Sequence, residues 1–348
     1  MTALPLREQA PRGLVLPQPY LLFLGDTTEA GYAKTAFGLR DWAPDQCVGE
    51  LILRGGTVTT GLPRLSLAAA RAAGARSLVI GVANTGGVIQ DNWIATLVEA
   101  LHEGLDIVSG MHAKLNDIPT LEAAARRLGR RLIDVRCPPE NIPIASGLKR
   151  SGKRLLTVGT DCALGKKYTA LAIAAAFRDR KINSDFRATG QTGIMIAGGG
   201  IPMDAVVADF AAGAAEILSP DASPDHWDVI EGQGALFHPA YAGVSLALLH
   251  GSQPDVIVIC HEPGRSEMLG HPGYAPPSVD EAIALNLRLG SLTNPNIRCA
   301  GVSLNTSGLD DDAAKRLMAQ ESARLSLPVA DPVRGGDEFG RLVDACLA

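Results

Sequence analysis

The stretch from Leu155 to Phe177, LLTVGTDCALGKKYTALAIAAAF, constrains the chain more than any other. An apolar run of strand length leads into a glycine-bounded loop, and the loop leads directly into an apolar-faced helical run. A glycine loop held between a strand and a helix N-terminus can wrap a phosphate with successive backbone N–H groups, and a lysine at the helix start adds a point charge. Gly159, Thr160, Asp161, Cys162, Ala163, Leu164, Gly165 and Lys166 are therefore expected to hold nucleotide-type phosphates. The plain alternative is an ordinary glycine-rich turn. In a hydrolytic phosphate loop the lysine is followed by Ser or Thr, whose hydroxyl ligates magnesium. Here Lys166 is followed by Lys167, a second cation counted with the phosphate-binding residues. This leaves magnesium open and disfavoured.

The rest of the chain repeats the strand and helix alternation. YLLFLGD, SLVIGVA, DIVSG and RLIDVR read as strands in the first part, with helical patterns before Ser77, at Trp93–Glu103 and at Leu121–Leu128. The prolines and polar residues of RCPPENIPIASGLKRSGK mark a domain boundary near Ser146. Beyond it come the strands RLLTVG, SDFRATG, WDVIEG, PDVIVICH and CAGVSLN, a glycine-rich loop QTGIMIAGGGIP, and helices near 204–218, 241–250, 279–289 and 311–325, the last closing the chain. The expected fold is α/β. Two doubly wound, mostly parallel sheets form a Rossmann-like domain at 1–145 and a domain like the P-loop NTPases at 146–348.

Composition removes several classes. With 348 residues, 46% of them hydrophobic, the chain can bury real cores. A net charge of -5 without a long basic run excludes the cationic footprint of a nucleic-acid binder. The six cysteines form no C-x-x-C pair, so neither zinc nor a disulfide framework is indicated, and a reducing cytoplasm is expected. Neither a signal core nor a run of about 18 apolar residues is present, and no membrane insertion is expected.

Other candidate residues sit where ligands bind in open α/β sheets, beyond the carboxyl ends of strands. Glu231 ends WDVIEG, with helix capping as its plainer role. Asn305 ends CAGVSLN, where it reads a nucleotide base or makes an Asx-turn. The long polar loop after PDVIVICH carries His261, Glu262, Arg265, His271 and Tyr274. There a permanently charged Arg265 can fork onto a substrate carboxylate, with His271 and Tyr274 beside it. Cys162, at a helix start, is a weaker candidate nucleophile. In the first domain Asp26, Lys34, Thr35, Asn84, His112 and Asp117 follow strands and are expected to form one wall of an interdomain cleft.

Loop spacing, with five residues between Gly159 and Gly165, resembles the dethiobiotin synthetase-like branch. Together, GTDCALGKK, RATGQTGI, WDVIEGQGAL, HPAYAGVSLALLHGSQPD, HEPGR and the earlier KTAFGLRDW resemble the phosphate-loop D-glutamate N-acetyltransferases of the DgcN type, over most of the chain. That resemblance implies acetyl transfer from acetyl-CoA to the amino group of a D-amino acid, D-glutamate first, in D-amino-acid catabolism. A small acidic substrate and a homo-oligomer are then expected. Coenzyme A carries a pyrophosphate and a 3′-phosphate, so its grip needs no magnesium-bound hydroxyl. Acyl transfer to an amine needs a base, for which His261 and Glu231 both qualify, and an oxyanion donor, which the sequence does not identify. The competing readings are an ATP-dependent ligase or kinase of the dethiobiotin synthetase type, with Thr169 supplying the missing hydroxyl, and a non-catalytic nucleotide-binding switch.

Overall fold

The computed structural model describes residues 14–348. It divides into two compact units: the residues up to Pro139 together with Gln191–Ala205, and Glu140–Gly190 together with Val206–Ala348. Among the described residues no helix is long and apolar enough to cross a membrane.

The first unit contains strands β1 (Leu14–Val15), β2 (Tyr20–Gly25), β3 (Cys47–Ile52), β4 (Ser77–Ile80), β5 (Asp106–Ser109) and β6 (Leu132–Asp134). Its helices within this stretch of chain are α1 (Lys34–Trp42), α2 (Leu67–Ala72), α3 (Asp91–His102) and α4 (Pro119–Leu128). Five strands form a parallel sheet in the order β3-β2-β4-β5-β6. Every residue of β2, β4 and β5 is buried, because a parallel strand covered on both faces has no solvent side. Strand β3 and helix α1 are among the elements that the sequence pattern does not announce. Strand β3 hides behind Gly49 and a fully buried Glu50, whose Oε2 accepts from the Thr60 amide and hydroxyl, both at 2.6 Å. Helix α1 follows the first long strand where the sequence shows no helical pattern. It buries Ala36 and Leu39, and a Cβ on Gly81 would stand 2.7 Å from the Ala36 Cβ, so the helix lies close on the sheet edge.

The second unit contains β7 (Lys153–Gly159), α5 (Lys166–Asp179) and β8 (Ser184–Arg187). Next in the chain come α6 (Gln191–Ala197) and β9 (Gly199–Gly200), which belong to the first unit, where β9 pairs antiparallel with β1. The expected glycine-rich loop is thus a helix and a short strand, with Ile194, Met195 and Ile196 buried. The second unit resumes with α7 (Ala208–Leu218), β10 (Trp227–Ile230), α8 (Ala242–Ser252), β11 (Val256–His261), α9 (Val279–Gly290), β12 (Arg298–Leu304), α10 (Asp311–Leu325), β13 (Val329–Ala330) and α11 (Gly336–Leu347). Strand β13 and helix α11 extend the chain past its expected last helix. Helix α11 buries Leu342, Val343 and Cys346.

All six strands of this unit are parallel, in the order β13-β12-β11-β7-β10-β8. Leu155, Ile173, Phe177, Trp227, Val229 and Val258 form its core, with the Phe177 and Trp227 rings edge-on at 5.6 Å. From β7 the chain runs out to β8, returns beside β7 as β10, then crosses to the other flank as β11. Strand order therefore reverses around β7, which makes its carboxyl end a topological switch point. The phosphate loop, Glu231, His261 and Asn305 all follow or end strands of this one sheet at that edge.

Candidate active site

Strand β7 ends at Gly159 and α5 begins at Lys166, so the phosphate loop spans the gap between sheet and helix. Ala163 and Gly165 adopt left-handed backbone, φ 54° and 101°, which turns the chain tightly into the helix. Lys166 is buried and folds its Nζ back onto the Asp161 carbonyl oxygen at 2.7 Å. Burial pushes the Lys166 ammonium below its ordinary pKa, with opposing pulls from Cys260, Cys162 and Asp161. Burial lowers Lys167 too, against the attraction of Glu231, and its Nζ lies 4.7 Å from the Tyr168 ring centre.

Asp161 organises the loop. Its fully buried carboxylate accepts from the Cys162 amide at 2.6 Å on Oδ1, and from Arg265 at 2.7 Å and the Leu269 amide at 2.9 Å on Oδ2. Burial alone would raise its pKa, but the Arg265 hydrogen bond and the two amides outweigh it and hold the carboxyl below the usual range. Arg265 also donates to the Cys162 carbonyl at 2.8 Å and pairs with Glu262. The guanidinium expected to meet a substrate carboxylate is therefore engaged with the phosphate loop in this structure. Burial raises the Cys162 thiol, the opposite of what an activated nucleophile needs.

Glu231 follows β10 and is almost fully buried. Its Oε2 accepts from the Thr189 amide at 2.9 Å and the Gly190 amide at 3.0 Å, while the Thr189 hydroxyl donates to its carbonyl at 2.7 Å. Burial raises its pKa, countered by the two amides and by Lys167 and Lys166. The next residue must be glycine: a Cβ on Gly232 would fall 1.7 Å from the Thr157 carbonyl oxygen. This close approach locks the Glu231 backbone against β7.

His261 ends β11, one residue past the Cys260 that pairs with Gly159, with its Nδ1 3.0 Å from the Thr160 hydroxyl. Burial lowers its pKa, against the pull of Glu321 and Glu262. Its other surroundings include a cavity of about 290 Å³ lined by Pro263, Val302, Leu304 and Leu317. Asn305 follows β12 and its Oδ1 accepts from the Ser307 amide at 3.2 Å, an Asx-turn. Thr169 is buried, with its hydroxyl 2.8 Å from Ser303 Oγ. That hydroxyl is directed at β12, which counts against its replacing the missing magnesium ligand. His271 stands edge-on to His238 with ring centres 4.7 Å apart, and the more exposed Tyr274 stands edge-on to His271 at 6.2 Å.

His238 was missed as a functional candidate. Its signal was a single imidazole in the otherwise apolar run ALFHPAY, immediately after the E-G-Q-G turn. The ring is buried, stacked on Tyr241 with centres 4.6 Å apart, and its Nε2 lies 3.8 Å from Asp161 Oδ1. In the first unit, Asp26 accepts from Trp93 Nε1 at 2.8 Å and from Asn92 at 2.9 Å, and Thr35 is buried 3.3 Å from the Thr192 hydroxyl.

Comparison with known proteins agrees with this architecture. Residues 47–138 match the model of a Rossmann-like domain of unknown function, DUF1611_N, and residues 143–343 match its partner P-loop domain, DUF1611_C. A crystal structure of a DUF1611 family protein from Anabaena variabilis ATCC 29413 superposes with a TM-score of 0.82 at 35% identity, covering 95% of this chain and 99% of that one. A protein of Tritonibacter scottomollicae named D-glutamate N-acetyltransferase is 51% identical over 96% of this chain and 100% of its own length. Another of that name, from a Pseudoalteromonas species, is 47% identical over 91% of this chain and 96% of its own. With both domains matched and relatives this similar along nearly the whole length, the chain belongs to the DUF1611 family.

Proposed function

We infer that this chain is a D-glutamate N-acetyltransferase with acetyl-CoA as donor. The observation that carries the reading is a phosphate loop that opens its helix with Lys166 and Lys167 and shares one sheet edge with His261 and Glu231. Two adjacent cations suit the several phosphates of coenzyme A. The hydroxyl needed to hold magnesium for phosphoryl transfer is absent. The names of the two relatives support the same acyl transfer.

In the reaction the amine nitrogen of D-glutamate attacks the thioester carbon, a base removes the ammonium proton, and the coenzyme thiolate leaves and is protonated. His261 is the better base of the two candidates. Burial lowers its pKa, so at neutral pH the ring is uncharged and able to accept a proton. Glu231 uses Oε2 to hold the Thr189–Gly190 turn and faces the two lysines, a positioning task. Arg265 serves the donor half by fixing Asp161, and His271 and Tyr274 line the acceptor side of the long loop. Asn305 lies at the coenzyme's base.

Purified protein given D-glutamate and acetyl-CoA is expected to release free thiol, and given D-glutamate, ATP and magnesium to release no phosphate. The reverse pattern would replace this reading with the ligase. Lys166→Ala should weaken coenzyme A binding about 10- to 100-fold by calorimetry, since one charge-assisted phosphate contact contributes about 1.5–3 kcal/mol. Binding equal to that of the wild type would remove Lys166 from the phosphate site.

A further inference from the structure

The side chain of His238 has an unusual balance of donors and acceptors. It is fully buried, and its Nε2 has no hydrogen-bond partner among the described residues. The Ala240 amide donates to its Nδ1 at 3.1 Å. That amide proton leaves no room for a proton on Nδ1, so the neutral ring carries its hydrogen on Nε2. Nε2 is thus a donor, aimed at Asp161 Oδ1 from 3.8 Å, outside hydrogen-bond range.

Asp161 has a matching vacancy in its acceptor capacity. An ionised carboxylate offers about four acceptor sites, two on each oxygen. Among the described residues, Oδ2 is filled by Arg265 and the Leu269 amide, whereas Oδ1 takes only the Cys162 amide. Ligand atoms of Asp161, Cys162 and His238 lie within 4.8 Å of one another, close enough for a cation. The tautomer argues against one. A metal needs the Nε2 lone pair, and here Nε2 carries the proton, while the Arg265 guanidinium already balances the carboxylate.

We propose that His238 is a positioning residue for coenzyme binding, whose Nε2–H closes onto Asp161 Oδ1 as the fourth donor when the phosphate loop takes up coenzyme A. Lys166 is the coupling element. Its Nζ now holds the Asp161 carbonyl, and turning it onto a phosphate frees the Asp161 backbone to shift toward His238. The Tyr241 and His271 rings hold the imidazole in place for that closure. The inference rests on the acetyl-CoA reading above.

His238→Phe keeps the ring packing and removes the donor. It should raise the acetyl-CoA KM about tenfold while kcat falls less than about threefold and the D-glutamate KM stays put. His238→Gln, which restores an N–H donor, should recover most of that loss. In wild-type protein, ¹⁵N NMR of the histidine rings should find the His238 proton on Nε2 and show its resonance move downfield on addition of coenzyme A. This measurement decides the matter even where His238→Phe fails to fold. An unchanged acetyl-CoA KM in a folded His238→Phe variant, a proton found on Nδ1, or an Nε2–H signal that ignores bound coenzyme A would each overturn the inference alone. Wild-type protein that binds no coenzyme A would overturn the donor assignment and this inference with it.

Discussion

His261→Gln is expected to lower the rate of D-glutamate acetylation about 10²- to 10⁴-fold, the usual contribution of a positioned general base. Glutamine keeps a polar partner for the Thr160 hydroxyl, so coenzyme A binding should survive, and calorimetry can verify that. The pH profile separates loss of a base from loss of shape. Burial sets the His261 pKa below the ordinary imidazole value of about 6.5. The base works when deprotonated, so wild-type kcat/KM should be full above that lowered pKa and fall as pH drops through it. In His261→Gln this acid limb should vanish. A variant that loses less than about tenfold, or keeps the wild-type acid limb, would transfer the role of base to another group.

The second large effect is on stability. Asp161→Ala removes a buried carboxylate that holds Arg265 and two backbone amides, and breaking such a pair from one side costs about 3–5 kcal/mol. Urea denaturation should report this as a lower midpoint. Asp161→Asn keeps an acceptor and loses the charge, so it should fall between the two. The sign with pH is fixed by the lowered pKa of Asp161. Its ionic contribution is complete above the unfolded-state value of about 3.9 and is lost as pH falls through the lower folded value. The gap between wild type and Asp161→Asn should therefore be flat near neutrality and close only in strong acid. A gap that closes already between about pH 7 and 5 would mean that another group carries the effect.

Local chemistry made much of the molecule legible. β2, β4, β5, β7 and β11 read as strands because parallel strands covered on both faces are continuous apolar runs. The phosphate loop was legible because strand, loop and helix start are contiguous in the chain. Elements that broke the simple pattern were missed. Strand β3 places a satisfied Glu50 inside the unit, α1 carries Gly38 within its turns, and α11 opens on Gly336 directly after Gly335. The run QTGIMIAGGGIP looked like loop because its glycines masked Ile194, Met195 and Ile196, whose burial depends on packing with a distant part of the chain.

By itself the sequence determined the α/β class, the phosphate loop with its second lysine, and the placing of Glu231, His261 and Asn305 at strand ends. Each depends on neighbours within a few residues, where backbone geometry and periodicity act directly. Only the tertiary structure decided how those groups are engaged. Arg265 meets Asp161, Glu231 meets the Thr189–Gly190 turn, and His238 faces the phosphate loop because β10 and β11 flank β7. Strand order is set by how whole layers bury their apolar faces, and no local pattern records which distant side chains that order will bring within hydrogen-bond reach.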